Sequence, residues 1–390
     1  MQPFMFHNPT RIEFGAGAAD KVGPACAGLG RTALLLAGQG SARRSGLLER
    51  VRSSLEAAGL RVVLHEGVRP NPVLSHVRAG IELARAEGVE LVVAVGGGSV
   101  LDSAKAVAAG ACAGHDVWDF FCGQAQVQAA LPLVAVLTLA ATGSEMNGGG
   151  VVTREETREK LPFSSPHCFP RVSLLDPALT LDVPADQTAN GLADAFAHLL
   201  EPYLSGTDPR PVVQLELKEA LFRCLLDSGA RLRADLRDLE ARADMMWTAT
   251  LALNGVTSVG IGATLWPLHL IEHSVSALTD IAHGAGLSAL TPGWLRWRLE
   301  QVDAETIQSR VTRLGERVFG LTGGGPAATI GALESWYRSV GAPASLTEAG
   351  VDPALHPAIA ANAARTARAW GMALYSEPAL VEILRRAAGA

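Results

Sequence analysis

The chain has no CxxC pair among its five cysteines, no run of eighteen apolar residues and no concentration of lysine or arginine. Each absence excludes something. Cys26, Cys112, Cys122, Cys168 and Cys224 are odd in number and do not make a disulfide framework, so a reducing cytosol suits them. Without a long apolar run there is no spanning helix, and MQPFMFHNPT lacks the basic start and apolar core of a secretory signal. The expected location is cytoplasmic. A formal net charge of −6, with basic residues dispersed, argues against nucleic acid or an anionic membrane as partner. No internal repeat or low-complexity segment stands out.

At 390 residues the chain is too long for one ordinary core, and 48% hydrophobic with 18% charged residues describes a soluble globular protein. The first 180 residues alternate short apolar runs with amphipathic stretches, the βαβ pattern of a parallel sheet. Expected strands are Thr32–Ala37, Arg61–His65, Glu90–Val95, Leu131–Thr138 and Val172–Leu175, with helices over Gly46–Ala58, Leu74–Glu87 and Ser99–Ala111. After Pro184 the periodicity is helical to the C-terminus. The expectation is an α/β dinucleotide-binding domain over residues 1–182, Rossmann-like with a parallel sheet, and an all-α metal-binding domain over 183–390.

Two glycine-rich turns support the first assignment. In VVAVGGGSVLDSAKA, Gly96, Gly97 and Gly98 follow a strand and Ser99 opens a helix. Glycines let backbone approach a pyrophosphate, and the helix N-terminus offers free N–H groups. The third glycine of GxGxxG is missing, since Leu101 stands there, and a tight turn with Ser99 as N-cap is the plainer alternative. In LLLAGQGSARRSG, Gly38, Gly40 and Ser41 follow the first expected strand. A carboxylate there would bind the ribose 2′-hydroxyl of NAD, but position 39 is Gln, and Arg43 and Arg44 follow. That leans toward NADPH, with NADH open, unless both arginines are solvated surface charge. A third segment, VLTLAATGSEMNGGGVVT, offers Thr138, Thr142, Ser144 and Asn147 in what reads as a polar loop.

The second half carries the metal chemistry. Asp194 and His198 stand four apart in GLADAFAHLLEPYL, on one helix face among Leu192, Ala193, Phe196 and Leu199. An unpaired Asp on such a face would be costly to bury. His269 and His283 stand fourteen apart, near four helical turns, so a continuous helix would leave them about 40° apart around its axis. Three imidazoles and a carboxylate suit Zn2+ or Fe2+. His273, one turn after His269, is a candidate proton-relay group, with a capping or solvent-facing histidine as the alternative. Trp247, Asn254, Trp266 and Leu270 are expected neighbours of the metal.

Taken together, FHNPTRIEFGAG, RPNP, AVGGGSVLDSAKA, VWDFF, TLAATGSEMNGGGVVT, LLDPALTLDVPADQTANGLADAFAHLLEPYL and IEHSVSALTDIAHGAGLS make the chain resemble the iron-containing (group III) alcohol dehydrogenases. Within them it resembles the butanol-dehydrogenase-like, NADPH-dependent aldehyde reductase branch. The resemblance runs nearly end to end. It implies that Asp194, His198, His269 and His283 hold iron or zinc, and that His273 lies near the nicotinamide. It also implies cofactor contacts from Gly38, Gly40, Ser41, Asn71, Gly97, Gly98, Ser99, Asp102, Thr138, Thr142, Asn147 and Lys160. A homodimer that interconverts a small aldehyde and a primary alcohol is the expected whole. Gln39 departs from the family, where NADP-preferring members often carry Gly and NAD-preferring ones Asp. Glycerol dehydrogenase and dehydroquinate synthase relatives are the alternative, but they use an acidic residue and two histidines, and the third histidine here disfavours them.

Overall fold

The computed structural model describes residues 1–302 and 304–389. The chain divides into two compact units, His7–Asp182 and Val183–Ala390, the latter joined by Met1–Phe6. The N-terminal residues belong there through specific contacts. The Met1 ammonium pairs with Asp208 Oδ2 at 3.3 Å, and Gln2 N–H donates to Gly260 O at 2.9 Å.

The first unit holds the strands β1 (Arg11–Phe14), β2 (Thr32–Gly38), β3 (Arg61–Val68), β4 (Leu91–Gly96), β5 (Leu133–Leu137), β6 (Gly149–Arg154), β7 (Glu159–Ser164) and β8 (Val172–Leu175). Its helices are α1 (Val22–Cys26), α2 (Ser41–Arg44), α3 (Leu47–Ala57), α4 (Leu74–Ala86), α5 (Gly98–Cys112) and α6 (Trp118–Phe121). Six strands form one sheet in the order β1-β8-β5-β4-β2-β3, and the pairings are parallel. Every residue of β4, β5 and β8 is buried, which is why these runs read as continuously apolar instead of alternating. From β2 the chain steps outward to β3, then returns to the other side of β2 for β4 and β5. The sheet's switch point therefore lies between β2 and β4, where open α/β sheets bind ligands at the carboxyl ends.

Two glycine-rich segments of this unit differ from the sequence reading. The segment TLAATGSEMNGGGVVT is not all loop: β6 pairs antiparallel with β7, Gly149 opposite Ser164 through Arg154 opposite Glu159. Helix α5 starts at Gly98 with Gly97 as its N-cap, and no side chain caps it, so Ser99 is not the N-cap.

The second unit is helical among its described residues: α7 (Ala185–Ser205), α8 (Val212–Ala234), α9 (Leu239–Leu253), α10 (Pro267–Thr279), α11 (His283–Arg298), α12 (Ala304–Val318), α13 (Gly325–Val340), α14 (His356–Ala369) and α15 (Glu377–Ala387). Helix α7 is buried almost throughout its second half, as its apolar run requires. No continuous helix spans residues 269–283. Asp280 takes a left-handed backbone (φ 56°), α10 ends there, and His283 is the first residue of α11. No helix among the described residues is long and apolar enough to cross a membrane.

Candidate metal centre and nucleotide turns

Helices α7, α10 and α11 bring four side chains to one point inside the helical unit. Asp194 Oδ1 lies 3.5 Å from His198 Nε2, 3.7 Å from His283 Nε2 and 3.9 Å from His269 Nε2. Donors about 2.1 Å from a common centre in a tetrahedron stand about 3.4 Å apart, so these separations fit a small divalent cation. Asp194, His198 and His269 are all buried, and His269 Nε2 has no hydrogen-bond partner among the described residues. A buried nitrogen turned toward a carboxylate without bonding it is what a metal ligand looks like. The residues present fit the group.

The helices can meet this closely because of a glycine. A Cβ on Gly284, next to His283, would stand 2.0 Å from the carbonyl oxygen of Asn190, one turn before Asp194 on α7. The backbones of α7 and α11 touch at that point.

Two carboxylates that the sequence reading did not single out stand behind the imidazoles. Glu201 Oε1 accepts from His269 Nδ1, and Glu272 Oε2 accepts from His283 Nδ1. Both glutamates are fully buried. Glu201 also accepts the backbone N–H of Leu268 at 2.7 Å and of His269 at 3.1 Å, at the start of α10. A signal existed for Glu201. It continues the face of Asp194 and His198 three residues on, and a carboxylate in so apolar a helix needs a partner.

The electrostatics separate the histidines. Burial, with His269 and His283 nearby, holds His198 well below the ordinary imidazole pKa, leaving it a neutral donor. Burial also lowers His269, but Glu201, through charge and hydrogen bond, outweighs it together with Asp194 and Glu272, so its pKa is raised. His273 is buried, with its ring centroid 6.2 Å from that of His269 and 5.5 Å from that of His283. Trp266 lies edge-on to His198 at 6.1 Å and to His269 at 5.3 Å. Leu270 is buried one residue after His269, whereas Trp247 on α9 is 38% exposed.

In the α/β unit, the expected cofactor residues cluster at the carboxyl ends of adjacent strands. Gly38 ends β2, and Gly97, Gly98 and Ser99 follow β4. Thr138 follows β5, whose Leu137 is opposite Gly96. Gly40 has φ 140°, a conformation that calls for glycine, and it opens α2 at Ser41. Arg43 is not free at this turn: Nε donates to Glu66 Oε1 at 3.0 Å and Nη2 to Oε2.

Other expected contacts are committed to the protein itself. Asp102 accepts from Ser144 Oγ at 2.7 Å and from Val151 N–H at 3.0 Å. Asn147 accepts from Gly149 N–H at 2.9 Å and donates to Gly143 O at 2.9 Å. Thr142 Oγ1 accepts from Ser144 N–H at 3.2 Å, and Lys160 donates to Asn71 Oδ1 at 2.9 Å. Asn71 adopts a left-handed backbone (φ 50°). At the centre of this network is Lys105, whose ammonium donates to Ser144 Oγ at 2.8 Å, Asn147 Oδ1 at 3.0 Å and Gly149 O at 2.6 Å. Burial pushes its pKa down to about 8 against the pull of Asp102, Cys168 and Glu145.

The iron-containing alcohol dehydrogenase pattern matches residues 9–177, and the C-terminal pattern of the Fe-containing alcohol dehydrogenases matches residues 188–387. The chain belongs to the iron-containing alcohol dehydrogenase family. It is 40% identical over 354 residues to the probable NADH-dependent butanol dehydrogenase 1 of Bacillus subtilis, covering 89% of this chain and 90% of that one. It is 33% identical over 369 residues to the NADPH-dependent aldehyde reductase YqhD of Escherichia coli, covering 92% of each. Among solved structures, NADH-dependent butanol dehydrogenase A from Thermotoga maritima superposes with a TM-score of 0.94 at 40% identity, covering 100% of this chain and 99% of that one. The chain is accordingly a nicotinamide-dependent oxidoreductase of the alcohol dehydrogenase class, and the glycerol dehydrogenase or dehydroquinate synthase alternative is not favoured.

Proposed function

We propose that the protein interconverts a small aldehyde and its primary alcohol with NADPH, accepting NADH, and that Asp194, His198, His269 and His283 hold one Fe2+ or Zn2+. The observation that carries this reading is the gathering of three imidazole Nε2 atoms within 3.9 Å of one carboxylate oxygen. When bound, the cation supplies Lewis acidity toward the carbonyl oxygen and the dihydronicotinamide supplies hydride.

The chain's own residues do the rest. Asp194 contributes the single negative charge among the four donors, and neutral imidazoles leave most of a cation's charge available to substrate. His273 would deliver a proton to the alcohol oxygen during reduction and take it back during oxidation. The backbone at Gly97, Gly98 and Ser99, opening α5, would take the pyrophosphate. The turn Gly38–Ser41 would meet the adenosine ribose, with Thr138, Thr142, Asn147, Asp102, Asn71 and Lys160 shaping the far end of the dinucleotide.

The NADPH preference rests on Gln39, which brings no carboxylate to the ribose, and on the cations of Arg43 and Arg44. The relatives' names point both ways, NADH in Bacillus subtilis and NADPH in Escherichia coli. A cytoplasmic setting fits five free cysteines, and a homodimer is the assembly to look for in sedimentation.

The test is oxidation of NADPH against short linear aldehydes, with metal analysis, before and after chelation. Turnover should vanish with the metal and return on adding Fe2+ or Zn2+. Full turnover by thoroughly stripped protein would sink the reading.

A further inference from the structure

We infer that Glu201 and Glu272 are positioning residues that fix the tautomer and strengthen the donor nitrogens of His269 and His283, leaving His198 as the imidazole without such support. The inference rests on the metal reading above.

A carboxylate only accepts, so the ring nitrogen facing it carries the proton and the opposite nitrogen presents its lone pair. His269 and His283 each turn Nδ1 to a glutamate and Nε2 toward Asp194. Glu201 holds more than the ring. It stands seven residues after Asp194 on α7, and its bonds to Leu268 and His269 N–H satisfy the start of α10, whose N-cap Trp266 provides no side-chain cap. One carboxylate thus orients both the backbone and the ring of a single ligand. Glu272 takes the Ser276 hydroxyl on Oε1, and Gly286 of α11 leaves room for it, since a Cβ there would stand 2.8 Å from that oxygen. His198 Nδ1 has no hydrogen-bond partner among the described residues.

A different reading is that Glu272, His273 and His283, which also lie within 4.8 Å of one another, hold a second cation. Glu272 Oε2 is already bonded to His283 Nδ1, which favours one cation and a supporting carboxylate.

A mere packing role and a positioning role predict different metal affinities. Removing the buried Glu272 carboxylate also strands the Ser276 hydroxyl and the His283 N–H that it accepts from, so a stability loss follows under either role and metal affinity is what separates them. Losing a carboxylate behind a ligand typically weakens metal binding about 10- to 100-fold. Metal-stripped parent, Glu272→Gln, Glu272→Leu and Glu201→Gln should therefore be titrated with Co2+ and followed by its visible spectrum. The parent should take one Co2+ per chain. Glu272→Leu should bind at least about 10-fold more weakly with shifted bands. Glu272→Gln, which keeps an acceptor without the charge, should fall between.

Parent-like affinity and spectrum in both Glu272 variants would overturn the inference, as would two Co2+ per chain in the parent. If the Leu variant does not fold, the Gln variant decides by the same criteria. A parent that takes up no Co2+ would instead overturn the metal reading itself.

Discussion

Arg43 is clasped by Glu66 through two guanidinium nitrogens, at the turn where β2 gives way to α2. The pair is partly exposed, with side-chain exposures of 59% and 28%, so it is a modest and breakable interaction. A 2′-phosphate would compete with Glu66 for the same cation.

This competition makes a prediction. Glu66→Gln should release Arg43 and raise the ratio of NADPH to NADH kcat/KM, whereas Gln39→Asp should lower it, each by roughly tenfold, about 1.4 kcal/mol. Steady-state kinetics with both cofactors checks it. If neither ratio moves, this turn does not read the ribose.

His269→Ala should abolish metal binding and turnover while dinucleotide affinity stays near the parent value. Metal analysis and NADPH fluorescence titration measure the two separately. An active variant in chelator would refute the assignment of His269.

Lys105 ties α5 to the loop and hairpin that carry Ser144, Asn147 and Gly149. Lys105→Met takes the neighbouring cation from half-buried Asp102 and leaves three acceptors, Ser144 Oγ, Asn147 Oδ1 and Gly149 O, without their donor. The expected loss is about 1–3 kcal/mol of stability, together with a raised KM for the dinucleotide and little change in metal content. Urea unfolding and kinetics on the folded fraction report both. A variant with parent-like stability and KM would show that the network is dispensable.

Lys218 supplies a pH test. Burial, then Arg310, pushes its pKa down to about 7, and its ammonium donates to Thr257 O. In the unfolded chain it titrates near 10.4. Between these values the unfolded state binds the extra proton, so this group's contribution to stability rises with pH across that window. The parent should gain stability relative to Lys218→Met between pH 7 and pH 9, in denaturant midpoints measured side by side. A constant difference would contradict the shift.

Much of this was legible in one sequence. Asp194 and His198 declared themselves because a carboxylate and an imidazole four apart on an apolar helix cannot be buried idly. The central strands did so because two-sided burial leaves an unbroken β-branched run. The break at Asp280 was not legible, because a fourteen-residue spacing satisfies helical periodicity whether or not the helix continues. The commitments of Asp102 and Asn147 were hidden for another reason. Ser144 bonds Asp102 from 42 positions away, and Lys105 reaches Asn147 across the same separation, so local pattern carries no trace of them. The hairpin of β6 and β7 was masked by Gly148, Gly149 and Gly150, which look like loop until a partner strand is known.

The contact between Gly284 and Asn190 has a consequence for how this centre tolerates change. The gap between two helices, and with it the bite of the proposed ligands, is set where no side chain exists at all. A single added methyl at position 284 would act as a wedge, levering His283 off Asp194 while all four donors remain intact in composition. Selection for metal retention would thus press on a residue that never meets the ion.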